Sequence, residues 1–236
     1  MPAGMIGHMK PKAWLSWSSG KDSAWALHVL RRQGEYEITG LVTTINSAFD
    51  RVAMHSTRRA LVEAQAGAAG LPLVAVPLPW PCSNTDYERI MAGVCEQGVA
   101  QGVVAVAFGD LFLEEIRAYR ERHLQDTGLQ PLFPLWKVPT RQLAQEMIEG
   151  GLRAKLVCVD PAKLEPEFAG RDFDQQLISD LPPGVDPCGE NGEFHSFAYA
   201  GPMFNREIAV VSGERVQRDG FWFCDVLPAA AGAHAT

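Results

Sequence analysis

Runs of apolar residues alternate with stretches of helical periodicity through the first half of the chain. Two of the runs, 40–45 and 103–108, are apolar on both faces, which is typical of strands that helices cover on both sides of a parallel sheet. The alternation therefore predicts successive βαβ units in a doubly wound α/β domain. The predicted strands are 13–18, 38–45, 73–76 and 103–108, and the predicted helices are 22–33, 57–67 and 84–101.

The spacing of glycine and proline changes between residues 128 and 140, where one glycine and three prolines precede a new helical pattern at 140–149. We therefore predict a boundary between a domain at 1–130 and a smaller α+β domain at 131–236. The second domain is predicted to end in antiparallel strands, with Ser212-Gly213-Glu214 as a hairpin turn. Its predicted strands are 154–159, 196–200, 208–212 and 220–226.

The composition is that of an ordinary globular chain. Hydrophobic residues make up 47% of the 236 residues and charged residues 21%, which excludes disordered and fibrous classes. The net charge of −7 argues against broad nucleic-acid or anionic membrane surfaces. However, the first 60 residues carry eight Lys and Arg against four Asp and Glu, so we expect an anion site near the start of the chain.

Cysteine usage and the first residues indicate the cellular compartment. Five cysteines without a CxxC pair are not typical of a disulfide framework or a cysteine zinc site. The start of the chain is too polar for a secretory signal, and no apolar run approaches the roughly 18 residues of a membrane span. We therefore expect a soluble cytoplasmic protein.

The strongest local motif is SWSSGKDS at 16–23, which links the first predicted strand to the first predicted helix. The N-terminus of a helix favours phosphate, because it presents free N–H groups and a partial positive charge. Gly20 permits close backbone approach, and Lys21 supplies a positive charge. The spacing is not that of a Walker A loop. The alternative is a serine-rich helix cap without a ligand.

This stretch resembles the pyrophosphate-binding loop, SGGxDS, of ATP pyrophosphatases, which cleave ATP between its α and β phosphates. Ser19 stands where these proteins have glycine, and it would cost about 1 kcal/mol if the backbone there needs a positive φ. The resemblance implies a set of ATP-binding residues. They are Ser18, Ser19, Gly20, Lys21, Asp22 and Ser23.

A second motif, CGENGEFHS at 188–196, places two carboxylates and an imidazole between a proline-rich turn and an apolar strand. Glu190 and Glu193 are candidates to hold Mg²⁺ or an ammonium-bearing substrate. The alternative is a solvated acidic turn. Cys188 is not predicted to be a nucleophile, because the neighbouring carboxylates raise the pKa of a thiol.

Together the two motifs resemble the diphthine–ammonia ligase family of N-type PP-loop ATP pyrophosphatases, whose members carry a GExGE motif in a C-terminal domain. The resemblance covers about residues 13–202. It implies an adenine nucleotide alpha hydrolase-like (HUP) fold, with ATP and Mg²⁺ as cofactors. His195 stands where the family pattern has glutamate, as in its bacterial branch, and this leaves the carboxylate acceptor open.

Two further positions follow predicted strands. Gly109 and Asp110 come directly after 103–108, at the strand end where ligands of open α/β sheets bind. The resemblance places them in the nucleotide pocket, and a loop cap is the alternative. His55 follows the second strand, where it is a candidate for an adenine or ribose contact or a surface residue before a helix cap.

Three arginines between residues 117 and 122 alternate with glutamates, which is typical of a solvated helix face. A clamp on a substrate carboxylate is the alternative reading. The three are Arg117, Arg120 and Arg122.

The resemblance implies that ATP adenylates a carboxylate and that ammonia then displaces AMP to give an amide. The predicted catalytic residues are Lys21, Asp22, Glu190, Glu193 and His195, and Asp22 and Glu193 are the predicted metal ligands. The expected partners are a small-molecule or protein-borne carboxylate, ammonia and a second copy of the chain. The alternatives are a tRNA-modifying ATP pyrophosphatase and a nucleotide sensor without turnover. Because the loop at 16–23 is expected to be exposed, Lys21→Ala should cost little folding stability.

Overall fold

The computed structural model describes residues 9–52 and 57–229. Its first half contains a six-stranded sheet with helices between the strands. The strands are β1 (Lys12–Ser16), β2 (Glu37–Asn46), β3 (Arg51–Val52), β4 (Leu73–Leu78), β5 (Val103–Ala107) and β6 (Gln130–Leu132). The helices are α1 (Lys21–Gln33), α2 (Arg59–Ala69), α3 (Asn84–Ala100) and α4 (Glu114–Leu124).

Five strands are parallel and lie in the order β4-β2-β1-β5-β6, and the short β3 pairs antiparallel with the end of β2. Side chains alternate between the two faces of the sheet. Leu15 of β1 packs with Leu27 of α1 on one face, whereas Trp14 packs with Cys95 of α3 and Leu124 of α4 on the other. Helices therefore cover both faces, which confirms the predicted doubly wound α/β fold.

The second half forms a smaller antiparallel sheet in the order β8-β7-β10-β9, which confirms the predicted C-terminal α+β unit. A short 3-10 helix, Pro166–Phe168, follows its first strand. The strands are β7 (Arg153–Val159), β8 (Phe194–Ala200), β9 (Val210–Arg218) and β10 (Phe221–Pro228), and the helices are α5 (Thr140–Glu149) and α6 (Gln175–Asp180).

The predicted hairpin turn at Ser212-Gly213-Glu214 is wrong, because these residues lie inside β9. The chain turns instead at Asp219 and Gly220, which both have positive φ, 52° and 85°. A two-residue turn between antiparallel strands needs positive φ at both positions, and Asp-Gly meets that need at low cost. The strand before the turn therefore extends six residues beyond the predicted end at residue 212.

Two details of the first half of the chain also differ from the sequence prediction. Helix α2 continues past the predicted end at residue 67 to Ala69, where Gly70 adopts the left-handed conformation that ends many helices. The sequence prediction did not include β3 and β6, which have only two and three residues. Such short edge strands carry too little alternation to be recognised.

One buried cluster joins the two sheets. Leu143 and Met147 of α5 and Ala154 of β7 belong to the same core as Trp25 and Leu27 of α1. The division into domains at 1–130 and 131–236 stays a prediction. Within the described residues, no helix has both the length and the apolar character that crossing a membrane would require.

Candidate active site

The serine-rich loop, residues 17–20, connects β1 to α1 at the carboxyl edge of the parallel sheet. Its own side chains close it. The amide of Gly20 donates to the Ser18 hydroxyl at 3.3 Å, and Ser23 of α1 donates its hydroxyl to the carbonyl of Gly20 at 3.0 Å. The hydroxyls of Ser18 and Ser23 lie 3.1 Å apart. The loop is therefore folded back onto the first turn of the helix.

Ser19 adopts a left-handed backbone conformation, with φ of 70°. A residue with a Cβ costs about 1 kcal/mol or more there, so the serine that replaces the usual glycine is strained. Its fully buried hydroxyl lies 2.9 Å from that of Thr57, and its carbonyl accepts the amide of Ala198 at 2.9 Å. These bonds hold the strained conformation in place.

The side chain of Gln65 in α2 holds the same loop through hydrogen bonds. This side chain is fully buried. The amide oxygen accepts the indole N–H of Trp17 at 2.8 Å, and the amide nitrogen donates to the carbonyls of Ser19 at 3.0 Å and Ala198 at 2.6 Å. A single buried amide thus joins both sides of the loop to β8.

Lys21 is held inside the protein, with 2% of its side chain exposed. Its ammonium donates to both carboxylate oxygens of Asp22, at 2.8 and 2.9 Å, and to the carbonyl of Cys188. The rings of Phe173 and Phe194 each lie 5.5 Å from it. The expectation of an exposed lysine in an exposed loop is therefore wrong, because the second half of the chain covers it.

The surroundings of Lys21 keep it charged. Burial alone would lower the pKa of Lys21, but the negative charge of Asp22 raises it above the ordinary value. The backbone amide of Lys21 donates to the hydroxyl of Ser196 at 3.1 Å. Residues of the CGENGEFHS segment thus contact the first residue of α1 through both its side chain and its backbone.

Gly109 follows β5 and lies directly against the start of α1. A Cβ at Gly109 would lie 2.9 Å from the amide nitrogen of Ser23 and 3.0 Å from the carbonyl carbon of Asp22. Both contacts are with backbone atoms, which cannot rotate away. Only glycine therefore permits this approach of the two loops.

We expect Gly109→Ala to destabilise the fold by about 1–3 kcal/mol, because the added methyl group must displace the backbone of α1. Gly93→Ala is the matched control. Gly93 lies exposed in α3 with open space at its Cβ position, so alanine there should be neutral or stabilise by up to about 1 kcal/mol. Thermal unfolding of both variants checks this, and equal stability of the two would contradict the tight approach.

Glu190 faces the serine-rich loop from the CGENGEFHS segment. Its carboxylate accepts the amide of Leu111 at 2.8 Å, and its own amide donates to Asp186 at 2.9 Å. Burial, and secondarily the charge of Asp22, raises the pKa of Glu190 to about 7. Glu190 is therefore a group that can hold or release a proton near neutral pH.

Glu193 has a different environment from Glu190. It is 3% exposed, and one carboxylate oxygen accepts the amide of Asp186 at 3.0 Å and the side-chain amide of Asn191 at 3.2 Å. The other oxygen, Oε2, is buried and has no hydrogen-bond partner in the described part of the chain. These contacts fold the CGENGEFHS segment around Glu193.

His195 and Cys188 are both poor proton-transfer groups in this structure. Burial, and secondarily the charge of Lys21, lowers the pKa of His195 to about 4, so its imidazole is neutral at neutral pH. Burial raises the pKa of the Cys188 thiol far above its ordinary value, which agrees with the expectation that it is not a nucleophile.

Two cavities meet at this edge of the sheet. The smaller, about 250 Å³, lies between the serine-rich loop and the CGENGEFHS segment. The larger, about 970 Å³, lies between the sheet and helices α3 and α4, and its lining includes Thr43 and His123. The Thr43 hydroxyl and the His123 Nε2 are buried without a hydrogen-bond partner among the described residues. Four residues line both cavities: Ser16, Ser18, Phe108 and Arg120.

Most of the predicted site residues lie around the smaller cavity. Ser19 is fully buried and, like Glu193, is not part of the cavity wall, and His55 lies outside the described residues. The predicted residues in the wall are Ser18, Gly20, Lys21, Asp22, Ser23, Gly109, Asp110, Glu190 and His195.

The sequence prediction missed two residues that hold the loop. Ser196 ends the CGENGEFHS motif, and its position in the motif was the available signal. Gln65 stands among the small and apolar residues of α2, and a lone amide in such a run indicates a buried hydrogen-bonding role.

No three His, Cys, Asp or Glu side chains in residues 9–52 and 57–229 are arranged to hold a metal ion. Asp22, Asp110 and Glu190 nevertheless all border the smaller cavity. Carboxylates beside a helix N-terminus are suited to a magnesium ion that also binds phosphate oxygens.

The doubly wound sheet and the serine-rich loop at its carboxyl edge define an α/β protein of the PP-loop type. Family models for the diphthamide synthase N-terminal and C-terminal domains match residues 11–131 and 139–229. The chain therefore belongs to the diphthamide synthase family, which confirms the resemblance seen in its two motifs.

Three curated relatives named diphthine–ammonia ligase match part of the chain. The Bos taurus protein is 31% identical over 155 residues, which are 64% of this chain and 58% of that protein. The Homo sapiens protein is 31% identical over 136 residues, 56% of this chain and 50% of that protein. The Mus musculus protein is 28% identical over 149 residues, which are 60% of this chain and 54% of that protein. The chain thus spans between half and three fifths of these relatives.

Proposed function

We propose that this chain is an ATP-dependent ligase that adenylates a carboxylate and then forms an amide with ammonia. The observation that carries this proposal is the smaller cavity, where the Lys21 and Asp22 pair at the start of α1 faces Glu190. The relatives named diphthine–ammonia ligase support the same reaction class. Diphthine is therefore the first acceptor to test, and His195 is the residue that departs from the family pattern.

The smaller cavity suits the pyrophosphate of ATP. Helix α1 begins at Lys21, so its positive end faces the cavity, and the Ser18 and Ser23 hydroxyls border it. Attack of a carboxylate oxygen at the α phosphorus breaks the bond to the β phosphate and builds negative charge on the departing pyrophosphate. The buried ammonium of Lys21 stabilises that charge where water does not screen it.

The charges around the cavity fit a magnesium ion. Asp22, Asp110 and Glu190 border it together with two cations, Lys21 and Arg120, so a polyphosphate alone would meet excess negative charge. Asp22 would hold Mg²⁺ together with phosphate oxygens, whereas Glu190 stays available for proton transfer. When bound, Mg²⁺ supplies positive charge to the departing pyrophosphate. The contacts of Glu193 favour a positioning role through the backbone of Asp186.

The larger cavity suits the adenosine. Ser16 and Ser18 line both cavities, and several aromatic side chains, such as that of Trp14, line the larger one. The buried hydroxyl of Thr43 and the Nε2 of His123 are polar atoms that a purine or ribose would satisfy. Adenosine therefore lies on the α3 and α4 side of the sheet.

Glu190 is the proposed base in the second step. The nitrogen of ammonia forms a bond to the acyl carbon, AMP leaves with the electrons of the broken C–O bond, and the proton released from nitrogen goes to Glu190. A pKa of about 7 suits a carboxylate that must take a proton at neutral pH.

The test is the formation of AMP and pyrophosphate from ATP by the full chain, with Mg²⁺, ammonium and diphthine or a panel of other carboxylates. We expect both products in equal amounts, dependent on the carboxylate. Tight ATP binding without AMP would instead favour a nucleotide sensor. AMP formation that requires tRNA rather than a small carboxylate would favour a tRNA-modifying ATP pyrophosphatase.

A further inference from the structure

Arg120 of α4 stands where the two cavities meet. Of the four residues that line both, Arg120 is the one with a charged side chain. Its Nε donates to a carboxylate oxygen of Asp110 at 3.4 Å. The guanidinium carbon lies 4.9 Å from the centre of the Phe108 ring and 5.9 Å from that of Tyr119. The side chain is 29% exposed.

These contacts orient the guanidinium but use little of its hydrogen-bonding capacity. Within the described residues, the bond from Nε to Asp110 is the one hydrogen bond that Arg120 makes. A guanidinium has five N–H donors in a planar fork, so four remain on its two terminal nitrogens. An ion pair and two aromatic rings therefore hold a cation whose terminal nitrogens are available to an anion.

We infer that Arg120 binds the α-phosphate of the nucleotide, an inference that rests on the proposed function. Adenosine in the larger cavity and pyrophosphate in the smaller cavity are joined by the α-phosphate, which must therefore pass the four shared residues. The terminal nitrogens of Arg120 match two non-bridging phosphate oxygens in a bidentate pair. Asp110 is the positioning residue, because it holds the guanidinium at the junction.

This position gives Arg120 a role in the first chemical step. Attack at the α phosphorus places more negative charge on its non-bridging oxygens, and a guanidinium already in place stabilises that charge. The same contact would hold the phosphate of the acyl-adenylate while ammonia attacks the acyl carbon.

The test compares the binding of AMP, adenosine and inorganic pyrophosphate to the full chain by calorimetry, with Mg²⁺ present. Arg120→Gln should lower the affinity for AMP roughly ten- to hundredfold, because that is the loss expected when hydrogen bonds to a charged group are removed. Binding of adenosine and pyrophosphate should change less than about twofold. Arg120→Lys keeps the positive charge but not the planar fork of N–H donors, so it should cause a smaller loss of affinity, and for AMP alone. This variant replaces Arg120→Gln in the test if Arg120→Gln does not fold.

Arg117→Gln is the matched control on the same helix. Arg117 also pairs with a carboxylate, Glu121, and lies 4.9 Å from the ring centres of Phe133 and Trp136, but it borders neither cavity. Arg117→Gln should leave the affinities for AMP, adenosine and pyrophosphate unchanged. An unchanged affinity for AMP in the Arg120 variants, or an equal loss for adenosine or pyrophosphate, would overturn the assignment. If the unaltered chain binds none of the three, the proposed function fails first and this role with it.

Discussion

Replacing Lys21 by methionine should lower the rate of AMP formation by at least about a hundredfold and destabilise the fold by about 3 kcal/mol. The loss of rate follows from removing a buried positive charge beside the departing pyrophosphate. The loss of stability follows because the Asp22 carboxylate, which accepts two hydrogen bonds from Lys21, would be left without its counter-charge. Urea unfolding and an AMP assay measure the two effects separately.

The double variant Lys21→Met with Asp22→Asn separates folding from catalysis. It removes the unpaired carboxylate, so we expect most of the lost stability to return while AMP formation stays low. If the double variant were as unstable as Lys21→Met, the unpaired charge would not be the cause. A single variant that formed AMP at the original rate would contradict the role of Lys21.

Glu190→Gln should lower amide formation by about a hundredfold or more, and the loss should depend on pH. In the unaltered chain, the rate should rise about tenfold per pH unit up to pH 7 and then level off. This follows because burial raises the pKa of Glu190 to about 7 and a base must be deprotonated to act. The assay must hold free ammonia constant, since ammonia itself becomes more available as the pH rises.

The same substitution should stabilise the fold above pH 7. Folding raises the pKa of Glu190 from 4.5 to about 7, so its contribution to stability is present below pH 4.5 and is lost as the pH rises to 7. Glutamine removes that cost, and we expect a gain of about 2 kcal/mol at pH 8 and little change at pH 4. Glu167→Gln, at an exposed position, is the control and should change neither activity nor stability. A pH profile of Glu190→Gln that keeps the step near pH 7 would contradict the assignment.

The parallel sheet and the serine-rich loop could be predicted because their signals are local. β1 is an apolar run that ends directly at a loop of small polar residues, and Asp22 and Ser23 mark the start of a helix. The local sequence also carries a signal for the hairpin turn. Asp219-Gly220 is a stronger turn signal than Ser212-Gly213-Glu214, because both residues of a two-residue hairpin turn need positive φ.

The environment of the loop could not be predicted, because its partners are distant along the chain. Ser19 is bonded to residues 38 and 179 positions away, Thr57 and Ala198, and Lys21 to the carbonyl of Cys188 167 positions away. No periodic pattern encodes such pairs. These distant contacts bury Lys21. The local sequence does not reveal them, and an exposed lysine was therefore the sequence-based expectation.

The roles of the acidic residues divide for the same reason. Glu190 and Glu193 are equivalent in the motif, yet Glu190 borders the cavity whereas Glu193 folds inward onto the amide of Asp186. The difference depends on which way each residue of a tight loop points. Gly189 and Gly192, with φ of 71° and 82°, set that direction through conformations that glycine adopts readily.

The central claim is that the serine-rich loop binds the pyrophosphate end of ATP so that the α phosphorus lies at the junction of the two cavities. A crystal structure of the full chain with Mg²⁺ and α,β-methylene-ATP tests it most directly. We predict the β and γ phosphates in the smaller cavity between Gly20 and Glu190, the α phosphorus beside Arg120, and adenosine in the larger cavity. Terminal phosphates found anywhere else would contradict the account.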